Sequence, residues 1–167
     1  LCYGDSNTWG FNATGALPAR FDENTRWTAR LQKALGEEYR VFEGGLNGRT
    51  TVFEDLSHIG RSGVDALPVV FETCDPLDLV VVMLGTNDVR DQFINSTFFL
   101  AMCMERFLIN LKDLIAKSFN PACQILVIAP PKAIPIPGVP MAYTKEWADR
   151  IAELPPLYEE LCGRLGV

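Results

Sequence analysis

Acyl transfer by a serine needs an activated hydroxyl, hydrogen-bond donors for the oxyanion of the tetrahedral intermediate, and a base. The sequence offers candidates for the first two. Ser6 lies in Gly4-Asp5-Ser6-Asn7-Thr8-Trp9-Gly10, directly after the apolar start Leu1-Cys2-Tyr3, where glycines at either end allow a tight turn. Gly48 lies in Gly44-Gly45-Leu46-Asn47-Gly48-Arg49-Thr50-Thr51, and Asn87 in Gly85-Thr86-Asn87-Asp88. The backbone N–H groups of Ser6 and Gly48 and the side-chain amide of Asn87 are neutral donors suited to a developing negative charge. Removing one such donor usually costs ~3 kcal/mol of transition-state stabilisation. Taken alone, the first string is more simply a strand-to-helix loop, since Gly, Asp, Ser and Asn are ordinary turn residues.

The elements around these strings decide between the two readings. Leu77-Asp78-Leu79-Val80-Val81-Val82-Met83-Leu84 is apolar and β-branched at its centre, as a buried parallel strand should be, and it stops at the third string. Tyr39 to Glu43 predicts a strand that runs into the second string, and Gln124 to Ala129 a fourth strand. Between them come helical patterns. Trp27, Leu31, Ala34 and Leu35 predict a helix capped by Asn24 or Thr25 and ended by Gly36. Asp65 should cap a short helix through Cys74, with Pro68 in its first turn. Ser96 or Thr97 should cap a long helix to about Phe119 that buries Phe99, Met102, Phe107, Leu111 and Ile115. A last helix spans about Lys145 to Leu165, with a kink or break expected at Pro155 and Pro156. Asn12 to Asn24 and Val52 to Val64 read as loops, the second mobile, and the proline-rich stretch Pro130 to Pro140 as an extended loop bordering a pocket. This alternation predicts a three-layer α/β/α domain with a central parallel sheet, occupying residues 1–167 as one unit. Parallel strands share one carboxyl edge, so Ser6, Gly48 and Asn87 should converge there.

Composition narrows the function classes. A chain of 167 residues at 48% hydrophobic and 22% charged supports a real core. A net charge of -6 without clusters of Lys and Arg speaks against nucleic acid or an anionic membrane as partner. Five scattered cysteines in apolar runs read as reduced core thiols, which points weakly to the cytoplasm. With His58 as the single histidine and no C-x-x-C, no metal is expected, and no cofactor either. A flavin or nucleotide binder would share the architecture, but there is no G-x-G-x-x-G and no Walker lysine.

The strings Gly4-Asp5-Ser6, Gly48 and Gly85-Thr86-Asn87-Asp88 resemble, in order, spacing and strand context, the SGNH hydrolases, also called the GDSL family of esterases and lipases. The longer strings Asp5 to Gly10, Arg26-Trp27, Gly45 to Thr51 and Pro76 to Leu79 resemble its arylesterase and acyltransferase branch. The resemblance implies a flavodoxin-like SGNH fold and a serine esterase acting on small carboxylic esters, with acyl transfer to an alcohol as an added capacity. It makes Ser6 the nucleophile, Gly48 and Asn87 the rest of the oxyanion hole, and Asp5 and Asp88 supporting turn acceptors. Asn7, Phe11 and Thr86 would wall the substrate pocket, with Phe53 and Phe93 as further candidates. The partner is then a small-molecule ester, and a homo-oligomer is compatible. Within the same family, a carbohydrate O-acetyl esterase with Trp9 and Trp147 stacking on sugar is the alternative. An inactive binding module on the same fold is the rival of a different class.

The family carries its base and orienting acid as Asp-x-x-His after a further strand near the C-terminus, whereas this sequence ends at Leu165-Gly166-Val167. The missing start methionine and the short first strand fit a chain clipped at both ends, with the catalytic Asp and His expected beyond Val167. His58 in the loop after the second turn is the other candidate base, although a lone loop histidine is more simply an exposed polar residue.

Overall fold

The computed structural model describes residues 1–93, 96–134 and 144–167. Among these, four strands form one parallel sheet: β1 (Cys2–Gly4), β2 (Glu43–Gly45), β3 (Leu79–Met83) and β4 (Gln124–Val127), in the order β2-β1-β3-β4. The helices are α1 (Ser6–Trp9), α2 (Trp27–Leu35), α3 (Gly63–Glu72), α4 (Thr97–Lys117) and α5 (Lys145–Leu165). Tyr3 pairs with Val82 and Cys2 with Val81, so alternate residues face opposite sides of the sheet, and both sides are buried. Tyr3, Val80, Val82 and Leu84 enter a core with Leu67 and Phe71 of α3, Met104, Phe107 and Leu111 of α4, and Ile151, Leu154 and Tyr158 of α5. Cys2, Val81 and Met83 are buried on the other face.

Several local expectations move. The strand expected at Tyr39 to Glu43 forms at Glu43–Gly45 instead, because sheet pairing begins only where the Cys2 N–H reaches the Phe42 carbonyl. Asn24 and Thr25 do not cap α2. Asp22 accepts from the Asn24 N–H and the Thr25 hydroxyl, and Arg26 holds the cap position without a side-chain bond. Ser62, not Asp65, caps α3, its hydroxyl accepting from the Asp65 N–H, so Pro68 sits deeper than the first turn. Ser96 does cap α4, accepting from the Phe99 N–H.

The buried stripe of α4 is Leu100, Cys103, Met104, Phe107, Leu108, Leu111 and Ile115. Phe99 and Met102, expected inside, lie outside that stripe at 46% and 48% exposure. The helix is apolar around more than one face near its start, so periodicity alone did not single out the side that meets the core. α5 runs without a break through Pro155 and Pro156. Each proline removes one helical N–H, but Ile151 and Leu154 before the pair and Tyr158 and Leu161 after it are all buried. Packing on both sides holds the helix together. Of the proline-rich loop expected at Pro130 to Pro140, residues 135–140 lie outside the described residues, as do 141–143.

Candidate active site

The three polar turns follow β1, β2 and β3 at the shared carboxyl edge, and each is hydrogen-bonded to the others. Asp5 caps α1, its Oδ1 accepting from the Asn7 N–H at 2.8 Å and from Asn7 Nδ2 at 3.0 Å. That places Ser6 at the first position of α1, half-buried, while Gly10 closes the helix. Asn7 Nδ2 also donates to Thr86 Oγ1 at 3.1 Å, tying the first turn to the third. The second turn closes through the Arg49 N–H to the Leu46 carbonyl, with Gly48 at φ +78°, a conformation that favours glycine. Asn87 Nδ2 donates to the Arg49 carbonyl at 2.9 Å, tying the third turn to the second.

Arg49 ties the second turn to the first. Its guanidinium, 4% exposed as a residue, donates through Nη1 to the carbonyl of Gly4 at 3.0 Å and to that of Gly44, and lies 4.1 Å from the centre of the Tyr3 ring. The Leu46 N–H meets the same Gly4 carbonyl at 3.0 Å. Burial lowers the Arg49 pKa, and burial pushes the Tyr3 phenol up to about 12 as its hydroxyl donates to the Gly63 carbonyl. Asp88 Oδ1 accepts from the Thr51 N–H at 2.8 Å and from the Thr51 hydroxyl.

Asp5 and Asp88 are fully enclosed, and burial pushes each carboxyl up to about 6. The Asp5 charge adds to the rise at Asp88. In each, among the described residues, Oδ2 is buried without a hydrogen-bond partner. Neither is placed to take a proton from Ser6: both spend Oδ1 on holding a turn.

The sequence-derived set Ser6, Gly48, Asn87, Asp5, Asp88, Asn7 and Thr86 therefore gathers at one edge. Among the described residues, no hydrogen bond engages the Ser6 hydroxyl, the Ser6 N–H or the Gly48 N–H, and one hydrogen of Asn87 Nδ2 is left over. Phe11 is joined to the first turn through its N–H on the Ser6 carbonyl, but its ring is half exposed. Phe53 stacks on Phe93 with ring centres 5.1 Å apart and meets Phe99 at 6.4 Å. Trp9 has the guanidinium of Arg20 over its ring at 5.0 Å.

His58 is exposed and shows no bond to the first turn. The Asp-x-x-His spacing does occur at Asp55-Leu56-Ser57-His58, where the sequence reading had not counted it. Its carboxylate does not meet the imidazole. Asp55 Oδ1 accepts from the Ser57 N–H at 2.9 Å and its hydroxyl at 2.5 Å, while His58 Nδ1 faces that hydroxyl at 2.9 Å. The loop expected to be mobile carries further bonds: Glu54 accepts from the N–H groups of Gly60, Arg61 and Ser62.

Two residues that the sequence reading did not place in the site belong to its frame. Arg49 was visible as a charge among Gly and Thr residues, but its contacts span 45 residues in sequence to Gly4. Arg90 donates through Nη2 to Asn87 Oδ1 at 2.8 Å. Among the described residues no group of acidic, cysteine or histidine side chains could hold a metal ion, and no helix is long and apolar enough to cross a membrane.

Comparison with known proteins shows the family. Among solved structures, the native aryl esterase of M. smegmatis matches at 34% identity and a TM-score of 0.90, covering 100% of this chain and 80% of that one. Est24, a carbohydrate acetylesterase from Sinorhizobium meliloti, matches at 32% identity, also with a TM-score of 0.90 and the same coverage. A carbohydrate acetylesterase family member from Sinorhizobium meliloti reaches 36% identity and a TM-score of 0.85, covering 99% of this chain and 78% of that one. No curated protein matches by sequence. The GDSL-like lipase/acylhydrolase family matches residues 2–167, and the chain, a carboxylic ester hydrolase of the α/β class, belongs to it.

Proposed function

We propose that ester hydrolysis proceeds here through an acyl-enzyme on Ser6, with the oxyanion held by the Ser6 N–H, the Gly48 N–H and Asn87 Nδ2. One observation carries the reading: three turns distant in sequence are bonded to one another while, among the described residues, the Ser6 and Gly48 N–H groups and one Nδ2 hydrogen of Asn87 stay uncommitted. Ser6 Oγ attacks the ester carbonyl and its proton passes to a base. The tetrahedral oxyanion collapses, the alcohol leaves with a proton from that base, and water releases the acid by the same steps. Donors already fixed in a dry frame cost no reorganisation as charge develops. Asp5 and Asp88 hold the turns and take no part in proton transfer, and Asn7 and Thr86 border the acyl group beside the nucleophile.

The reading takes its histidine and orienting aspartate from beyond Val167, as the family resemblance implies. His58 is the weaker candidate, because its ring nitrogen is engaged with Ser57 and its loop shows no bond to Ser6. Small acyl esters are the proposed substrates, and the Phe53–Phe93 pair beside the third turn favours an apolar or aromatic group on one side of the ester. The acetylesterase relatives support a second reading, a sugar O-acetyl ester. Trp9 would not be its stacking surface, since Arg20 covers that ring.

The test is p-nitrophenyl acetate turnover by protein expressed from the complete gene, by Ser6→Ala, and by the chain ending at Val167. Ser6→Ala should lower kcat by about a thousandfold or more. Truncation should abolish turnover; activity that survives it assigns the base to residues 1–167. A fully acetylated monosaccharide, assayed in parallel, ranks the two substrate readings by kcat/KM.

A further inference from the structure

We propose that Arg90 is a positioning residue for Asn87, fixing the orientation of its amide and polarising the N–H that the esterase reading points at the oxyanion. The inference rests on that reading. Asn87 is 1% exposed, so partners within the protein fix its amide. Oδ1 accepts from Arg90 Nη2 at 2.8 Å, and Nδ2 donates to the Arg49 carbonyl at 2.9 Å. A guanidinium can only donate and a carbonyl can only accept, so these two neighbours leave the amide one orientation. That orientation spends one Nδ2 hydrogen on Arg49 and keeps the other for a ligand.

The charge on Arg90 adds more than geometry. A cation on Oδ1 draws electron density through the amide and makes the opposite N–H a stronger donor, as bonds in a chain reinforce one another in a low-dielectric site. The benefit grows with the negative charge on the acceptor. It is therefore larger for the oxyanion than for the ester carbonyl, which places it in kcat rather than KM.

Arg90 is held for this task from its other side. Its Nη1 lies 3.7 Å from Asp55 Oδ2, and the Asp55 side chain is 7% exposed against 24% for Arg90. Asp55 is in turn fixed by the Ser57 N–H and hydroxyl, and the Ser57 hydroxyl bond, the largest cause, lowers its pKa and keeps it ionised. The contacts run from Ser57 through Asp55 and Arg90 to Asn87, reaching the candidate oxyanion donor from the loop after the second turn. A purely structural account would make the same contacts a staple between that loop and the third turn, with no bearing on Asn87.

The experiment compares kcat and KM on p-nitrophenyl acetate for protein from the complete gene and for Arg90→Met, Arg90→Lys, Asn87→Ala and the Asn87→Ala/Arg90→Met pair. Arg90→Met should lower kcat about tenfold and leave KM within about twofold, and Arg90→Lys should restore most of the loss. In the Asn87→Ala background, adding Arg90→Met should change kcat by less than about twofold, because the amide it serves is gone. If Arg90→Met melts too early to assay, Arg90→Gln, a neutral donor, should lose severalfold in the same pattern. Turnover like that of the parent, a loss confined to KM, or a loss of the same factor with and without Asn87 would overturn the assignment. Turnover that ignores Ser6→Ala would instead sink the esterase reading, and this inference with it.

Discussion

Two arginines meet the carboxyl edge of the sheet, and they hold different things. Arg49 is buried, spends its guanidinium on the carbonyls of Gly4 and Gly44, and stacks on Tyr3. Arg90 is partly open to solvent and spends one nitrogen on a side chain, the amide of Asn87, and another on Asp55. The first braces backbone, so losing it loosens the strand ends themselves. The second braces one side-chain amide, so losing it should leave the fold standing and, on the proposed reading, weaken one oxyanion donor. Linked through the one side chain of Asn87, two arginines distant in sequence brace different things, one backbone and the other an amide.

The sharpest way to break this contrast is Arg49→Met, which removes one donor each from the carbonyls of Gly4 and Gly44, leaving Gly4 the Leu46 N–H, and takes the cation from Tyr3. It should destabilise by about 3 kcal/mol or more in urea unfolding, whereas Arg90→Met should stay within about 1 kcal/mol. Equal losses would mean that both residues are frame. Next comes Gly48→Ala, which alters the second turn without touching either arginine directly. The added Cβ would lie 3.4 Å from Arg61 Nε, so space is not the obstacle; the φ of +78° is, and about 1 kcal/mol is expected.

A pH-dependent effect concerns Asp5 and Asp88 at the same edge. Asp5 and Asp88 have folded-state values near 6, above the ordinary carboxylate value of 3.8. Between those values the folded state binds more protons than the unfolded one. Their contribution to stability is thus fully present below about 3.8 and is lost as pH rises through about 6. The midpoint of thermal unfolding should fall from pH 5 to pH 7. Asp88→Asn, which keeps an oxygen for Thr51, should remove about half of that fall. A midpoint that rises over this window would show the two carboxyls ionised and paired, and would move them into the same class as Asp55.

How far the sequence revealed these arrangements depended on range. Ser6, Gly48 and Asn87 were legible because each sits in a local string at the end of an apolar run, and parallel pairing then brings the ends together whatever the side-chain details. The frame was not legible. Arg49 on Gly4, Asn87 on Arg49 and Thr51 on Asp88 join residues 45, 38 and 37 positions apart, and no periodicity encodes such pairs. The misplaced stripe of α4 and the unbroken course of α5 have the same origin. Phe99 turns toward Phe53 and away from the core stripe, and α5 stays helical through Pro155 and Pro156 with buried anchors on either side.

The contact between α5 and the third turn also bears on how this chain can change over generations. Tyr158 reaches the Leu84 carbonyl, and a Cβ built on Gly85 would lie 2.5 Å from the Tyr158 hydroxyl, on a residue whose φ is +117°. A side chain at 85 thus meets two obstacles, the backbone and the tyrosine: shortening 158 removes only the second, and a lineage that keeps the tyrosine has both reasons to keep the glycine that precedes Thr86 and Asn87.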